Sequence, residues 1–491
     1  MLCLSLLVIG LDNTILNVAL PTMQSDLDAS SSQLQWIVDI YMLVFAGVLL
    51  TAGSLGDRFG RKRALTFGLT VFGLGSLGSA LAATPELLIV MRGLMGVGGA
   101  FIMPSTLSIL TATFPAHERG KAIGIWSGVS GIGIVIGPVA GGWLIEHADW
   151  SWIFLVNLPI VAGALLAGRF LVPESRDETK PALDPRGFVL SFVALSSLVW
   201  GLIEAPSRGW TDGIVLAAFV VAALMLAGFI AWERRAPAPM LDLKLFRNPR
   251  FSASSASISL AFFALFGVIF FLTQYLQQVR GYSALDAGLR TLPVAAGLVI
   301  GGPLSAKLTE RFGIRIVVPF GLTAVSAALY LLTLADATSG YGLIAGALLL
   351  LGFGMASALA PATDAIMGSL PAAKMSVGSA INDTTRVAGG ALGVAVLGSI
   401  LASGYRGGMD SAVSGLPAEA RDIAHDSLAG GLAVAGRLGD GRLAATAQDA
   451  FLSGMHTAAL VAAAVALAGA VVAAVFLPSA ERSPVREAVP A

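Results

Sequence analysis

Stretches of about twenty apolar residues recur along nearly the whole chain, and they constrain its fold more than any other feature. A helix needs about 20 such residues to cross a bilayer. The runs fall at approximately 2–21, 34–54, 65–83, 87–112, 121–145, 150–172, 187–204 and 213–232, then at 252–278, 285–307, 314–334, 342–370, 376–404 and 454–477. They predict fourteen transmembrane helices. Of the 491 residues, 56% are hydrophobic and 12% charged, against ~25% charged in soluble domains, and the mean hydropathy is +0.82. The charged skin of a soluble enzyme is absent, and a disordered chain or a nucleic-acid binder is excluded by the same arithmetic. Lys+Arg and Asp+Glu are 30 each, so no global charge draws an anionic partner. The single Cys3 excludes a disulfide framework and a CxxC site. His117, His147, His425 and His456 are too scattered to suggest a metal cluster. The first run is not a signal peptide: it lacks a basic leading segment, contains Asp12 and continues to Pro21 without a small-residue cleavage site.

Basic residues orient the spans. With the N-terminus in the cytoplasm, 20 Lys and Arg fall on cytoplasmic turns, edges and tail, and 7 on the outer side. Four of those seven lie in the long segment 405–453, where the rule has little force. Both termini are therefore expected to be cytoplasmic and 405–453 extracytoplasmic. That segment, with amphipathic character over Pro417–Val434, reads as a partly ordered external loop. An internal repeat supports the span count. Asp57-Arg58-Phe59-Gly60 follows the second run and Glu310-Arg311-Phe312-Gly313 follows the tenth, with Lys62 and Arg315 at the same offset. The shift of eight fits two six-helix halves, 1–172 and 252–477, around a two-helix insert with cytoplasmic flanks, 173–251, and a tail, 478–491. Parallel repeats around a midplane site are common in secondary transporters.

Several motifs resemble those of a known family. Gly53-Ser54-Leu55-Gly56-Asp57-Arg58-Phe59-Gly60-Arg61-Lys62-Arg63 resembles the loop signature of the major facilitator superfamily. Leu11-Asp12-Asn13-Thr14-Ile15-Leu16-Asn17-Val18-Ala19-Leu20-Pro21 resembles the first-helix motif of its fourteen-helix drug:proton antiporters. Gly137-Pro138-Val139-Ala140-Gly141-Gly142 resembles their fifth-helix antiporter motif, and Trp150–Pro159 and Leu245–Phe251 are similar to further segments of that subfamily. Arg92 and Gly96 fit the fourth-helix pattern, but Met95 stands where a glutamine is usual. The resemblance covers the chain to about residue 477. It implies an all-α membrane protein of the major facilitator fold, with two six-helix bundles plus a two-helix insert. By the same resemblance, Gly53, Asp57, Arg58, Gly60 and Arg61 form a cytoplasmic gating loop that latches the halves. Gly137, Pro138, Gly141 and Gly142 bend and pack the fifth helix so as to favour export.

The charges inside the spans are the candidate site. Asp12 lies near the middle of its run, where a carboxylate costs ~2.5–3.5 kcal/mol even on lenient insertion scales. It is tolerated facing a wet cavity, paired with a base, or protonated. The functional reading is proton coupling and attraction of a cationic substrate; the structural one is a helix–helix hydrogen bond shared with Asn13 or Asn17. Asp39 and Arg92, both in the outer thirds of their runs, are expected to pair or exchange partners. Asp383 and Arg386, three apart on one helix face, read as a second acidic site or a local ion pair. Asp364 and Glu204 sit close enough to run ends to be solvated.

Together these features point to a proton-coupled exporter of lipophilic or cationic compounds in a bacterial cytoplasmic membrane. Its partners are such small molecules, protons and membrane lipids, and not nucleic acid. It acts as a monomer, with the proton gradient as energy source and no cofactor. No GxxxxGK[ST] phosphate loop is present to bind ATP. Two alternatives stand beside it: transport of a defined metabolite such as an amino acid, sugar or endogenous antibiotic on the same fold, and a non-transporting sensor or intramembrane enzyme. For the last, neither HExxH nor GxSxG occurs.

Overall fold

The computed structural model describes residues 1–113, 136–172, 174–175, 184–237, 239, 241, 243–369 and 375–477. Among these the regular structure is entirely helical. The first half contains α1 (Leu2–Asp26), α2 (Ser31–Phe59), α3 (Arg61–Ala80), α4 (Pro85–Thr113), α5 (described over 136–147), α6 (Trp152–Leu155) and α7 (Asn157–Leu171). The pair α8 (Pro185–Arg208) and α9 (Gly213–Glu233) follows. The second half contains α10 (Pro249–Gln274), which runs on into a π turn at Tyr275–Val279, then α11 (Ala284–Phe312), α12 (Ile314–Leu332), α13 (Tyr341–Gly368) and α14 (Met375–Met409). Two short helices, α15 (Ala418–Asp426) and α16 (Leu428–Leu438), lead into α17 (Gly441–Phe476).

Local chemistry sets the helix starts. The Ser30 hydroxyl accepts from the Gln33 amide while the Gln33 side chain accepts from Ser30 N–H, a capping box that opens α2. Asp184 caps α8 ahead of Pro185, and Asn248 caps α10 ahead of Pro249. Proline suits a first helical position, where its missing N–H would have no partner anyway.

Among the described residues, twelve helices are long and apolar enough to cross a membrane. Two of the fourteen expected runs are not among them. Run 65–83 is helical as α3, but Arg61, Lys62 and Arg63 fill its first turn, and glycine and serine dilute the rest. Run 121–145 lies largely outside the described residues. Segment 405–453 also differs from expectation. It is not a loop: α14 extends to Met409, α15 and α16 fold back on the bundle, and α17 begins well before residue 454. Its anchors are polar contacts invisible at sequence level. The Tyr405 hydroxyl reaches the Ala424 and Ser427 carbonyls, at 2.8 Å each. Arg406 pairs with Asp426.

Helices α1, α2, α4 and α7 pack around one another with α3 on their flank, and α10 to α14 with α17 form a second group. The junctions Gly60 and Gly313 occupy equivalent places in the two groups. Each is a single residue joining two long helices, with φ of 120° and 79°. That region of backbone space favours glycine, so the expected 53–63 loop is a helix, one glycine and a helix. The repeat also extends to side chains. Lys62 Nζ donates to the Arg169 carbonyl at the end of α7 (3.1 Å), and Arg315 Nε donates to the Ala474 carbonyl at the end of α17 (3.0 Å). Between the groups, α8 lies against both α2 and α14. Leu43, Val199, Ile203 and Ala395 form a separate small core there. The Ser399 hydroxyl donates to the Leu202 carbonyl, and Arg406 donates to the Pro206 carbonyl (3.2 Å).

Candidate functional site

Asp12 projects from α1 into the first helix group, where Arg92 of α4 meets it. Arg92 Nη1 is 2.6 Å from Asp12 Oδ2, and both side chains are almost completely buried. The guanidinium is held on three further sides. Nε donates to the Ile37 carbonyl (3.1 Å), the Tyr41 ring lies 4.4 Å from its central carbon, and Met95 Sδ is 3.9 Å from Nη1. A sulfur thus replaces the polar partner that glutamine would supply, and Ser79 also donates to it (3.6 Å). Asp12 Oδ1 has no hydrogen-bond partner among the described residues. The expected pairing of Asp39 with Arg92 does not occur, nor does Asp12 share its hydrogen bond with Asn13 or Asn17. Asn17 donates instead to the Asn13 carbonyl (3.1 Å). A contact across eighty residues of chain cannot be read from helical spacing, which orders only neighbours on one helix.

Asp39 of α2 is fully buried, and neither carboxylate oxygen has a hydrogen-bond partner among the described residues. On α14, Asp383 and Arg386 are partly exposed and make no ion pair with each other. Arg386 reaches across to the Thr363 hydroxyl of α13 (3.1 Å) and lies over the Phe262 ring of α10 (5.6 Å). Among the described residues, Asp383 has only a long contact from Asn382 (3.5 Å).

At the Gly60 junction, the carboxylate at the start of α3 belongs to Glu174, a residue sequence reasoning missed. Its Oε1 accepts from Lys62 N–H (3.1 Å), Arg63 stands 3.7 Å from Oε2, and a side chain at Gly60 would strike it. The available signal was weak, since Glu174 is only the first of three acids, with Asp177 and Glu178, that follow the sixth run. Ser175 adds a backbone contact, its carbonyl accepting from Arg61 N–H (2.8 Å). Gly53 faces Pro104, and Arg58 is exposed over the Phe59 ring; the Asp57 side chain lies outside the described residues. Glu174→Gln keeps the shape and weakens a charged helix cap. A cap is worth ~1 kcal/mol. The expected result is a lowered melting temperature, read by thermal unfolding. An unchanged melting temperature would exclude Glu174 as the anchor of this junction.

The α5 glycines act as expected of small residues at close contacts, though against two different partners. Side chains at Gly137 and Gly141 would collide with Thr14 and Ile15 of α1, whereas one at Gly142 would strike the Ala284 and Leu285 backbone at the start of α11. Gly288 meets the Pro138 carbonyl in the same way. Gly128, Gly131 and Gly133 lie outside the described residues. Among the described residues, every hydrogen bond between 1–172 and 252–477 falls at this same end. Gln277 Nε2 donates to the Val18 carbonyl (2.8 Å), Leu285 N–H to Glu146 (3.0 Å), and Ser31 N–H and hydroxyl to Asp426 (2.9 and 2.7 Å). Below that closure is a cavity walled by α1, Pro138 of α5, α10, α11 and α13.

A multi-pass helical bundle with charges buried inside its spans and a cavity between two repeated halves is the architecture of a membrane transporter rather than an enzyme. The chain belongs to the Major Facilitator Superfamily, whose family model matches residues 2–394. It is 37% identical over 498 residues to the tetracenomycin C resistance and export protein of Streptomyces glaucescens, covering 99% of this chain and 92% of that one. It is 38% identical over 478 residues to the multidrug efflux pump LfrA of Mycolicibacterium smegmatis, covering 96% and 94%. Among solved structures, it resembles a bacterial homolog of the human lysosomal transporter Spinster in an inward-facing, unoccupied conformation. The TM-score is 0.68 at 19% identity, over 97% of this chain and 96% of that one. That likeness concerns the fold.

Proposed function

We propose that this transporter is a proton-coupled antiporter exporting lipophilic or cationic compounds across a bacterial cytoplasmic membrane. The relatives' names support export of drugs or antibiotics. The observation that carries the proton coupling is the pair of carboxylates buried inside the spans, Asp12 against Arg92 and Asp39 with no partner among the described residues. An intramembrane acid that is not permanently neutralised is suited to a proton relay. In this reading Asp12 and Arg92 hold or release one another as protons enter, and Asp39 and Asp383 take protons further along. We place fourteen spans across the bilayer, with α3 and α5 completing the twelve. Both termini and the Gly60 junction then face the cytoplasm, and the closed seam faces outward, so that the cavity opens inward. The protein works as a monomer, drawing on the proton gradient without a cofactor.

The test uses inverted membrane vesicles loaded with a proton gradient. Wild-type protein is expected to move a fluorescent substrate only while the gradient lasts. Asp39→Asn is expected to reduce that movement to the level seen after the gradient is collapsed, with normal abundance in the membrane. Undiminished gradient-driven movement by Asp39→Asn would remove Asp39 from the relay. A second reading, export of one defined antibiotic, is favoured by the similarity to the tetracenomycin C export protein over nearly the full chain. Growth inhibition across a compound panel, in a host lacking its own efflux pumps, separates the two. Protection against a single chemical class supports the narrow reading.

A further inference from the structure

We propose that the cavity between the two halves takes uncharged lipophilic molecules that carry hydroxyl or amide donors, and that permanent cations are not its ligands. This narrows the export reading above and rests on it. The cavity lies below the closed seam, between α1, α10, α11 and α13. Its walls are apolar, and among the described residues no ionisable side chain lines them. The polar groups present are Thr14 and Asn17 of α1, Thr273 of α10 and Thr291 of α11.

Those groups are arranged to accept. The Thr14 hydroxyl donates back to the Gly10 carbonyl (3.3 Å), Thr273 to the Ile269 carbonyl (3.3 Å) and Thr291 to the Gly288 carbonyl (2.7 Å). A hydroxyl has one proton and two lone pairs, so each keeps acceptor capacity. Asn17 donates to the Asn13 carbonyl (3.1 Å), and its amide oxygen has no partner among the described residues. A ligand phenol, alcohol or amide N–H therefore meets oxygens ready to accept.

The acids that would attract a cation are placed elsewhere. Successive residues on a helix are about 100° apart. Thr14, Asn17 and Val18 thus share one face of α1, and Asp12 lies on the opposite face, turned into its own helix group and neutralised by Arg92. Asp39 is fully buried and, like Asp383, does not line the cavity. A permanent cation entering this space would leave its water without finding a counterion, which is costly in an apolar environment.

The test is equilibrium binding to the purified transporter by three flat aromatic probes: a dihydroxyanthraquinone, its dimethoxy ether and ethidium. The dihydroxy compound is expected to bind about tenfold tighter than the ether, a difference of 1.4 kcal/mol, and ethidium is expected not to displace it. Asn17→Leu and Thr291→Val should each shrink the gap between the two neutral probes. Asn17→Asp places a carboxylate on the cavity wall and should admit ethidium; Thr291→Asp does the same from the other wall should the first variant fold poorly. Displacement of the dihydroxy probe from wild-type protein by ethidium at equal affinity, or an ether that binds as tightly, overturns the inference. The same probes in energised vesicles keep the two readings apart. Gradient-driven export of ethidium and ether alike, together with binding indifferent to donors, overturns the cavity inference and leaves export standing. Donor-selective binding with no gradient-driven movement of any probe overturns export and leaves the cavity inference standing.

Discussion

Replacing Arg92 by methionine is expected to leave little folded transporter, whereas the double variant Asp12→Asn with Arg92→Met is expected to restore most of it. The single change strands a carboxylate that is fully buried and already has one oxygen without a partner. Breaking a buried ion pair by removing one member typically costs ~3–5 kcal/mol, a large share of the ~5–15 kcal/mol that holds a folded domain. Removing both charges avoids that penalty, and the methionine would sit among Tyr41, Met95 and α1 in surroundings suited to a flexible apolar side chain. Recovery from size-exclusion chromatography and thermal unfolding of the three variants measure the effect. A double variant no more stable than Arg92→Met would mean that Arg92 acts through its contacts to Ile37 and Tyr41 rather than through the pair. Transport reads a different property: the rescued double variant is expected to fold and insert yet show no substrate-induced proton release, since the exchangeable pair has gone. Proton release at the wild-type level would move coupling to Asp39 or Asp383.

The second large effect is expected at the seam. A side chain at Gly142 would overlap the backbone of Ala284 and Leu285 in the other half. Gly142→Leu should therefore abolish transport while leaving insertion intact, because insertion follows hydrophobicity and helix association follows close packing. It should also hold the seam apart. With Cys3 replaced by serine and Leu292→Cys placed on the cavity wall, a membrane-impermeant maleimide added outside should label the Gly142→Leu protein several-fold faster than its parent. Gly163→Leu serves as the control, since open space surrounds that position. Transport that survives Gly142→Leu would mean that the halves do not need this contact to alternate. Gly141→Leu is expected to act differently, by loosening α5 from Ile15 within its own half.

The architecture was legible because membrane insertion and internal duplication both write themselves into local sequence. The apolar runs marked the long helices, and the matching of Lys62 with Arg315 led to equivalent hydrogen bonds at the ends of α7 and α17. The buried charges were legible as residues but not as partners. Asp12 finds Arg92 only because α1 and α4 are brought together, and depth along the spans pointed instead to a pairing of Asp39 with Arg92. Residues 405–453 were misread for a related reason. They are too polar to register as a span, and their helices depend on caps and on contacts such as Tyr405 with Ala424 that lie outside any periodicity. Asn17 and Thr14 were visible as polar residues on α1. That they turn away from Asp12 follows from helical angle alone, but that they face a cavity required the second half of the molecule.

The position of α8 has a consequence for how the surrounding lipid meets this protein. The two halves of a duplicated bundle present two junctions to the bilayer, α2 with α14 and α5 with α11. Only the first is crossed by α8, which follows it from Phe192 packed at Gly47 to Pro206 bonded by Arg406. The duplication is therefore broken for anything diffusing in the plane of the membrane. On one flank an apolar solute meets a helix laid over the junction, with α9 outside it; on the other it meets α11, with Val299 and Ile300 turned outward. Two junctions equivalent by duplication thus present different faces to lipid, one covered by α8 and the other bordered by α11.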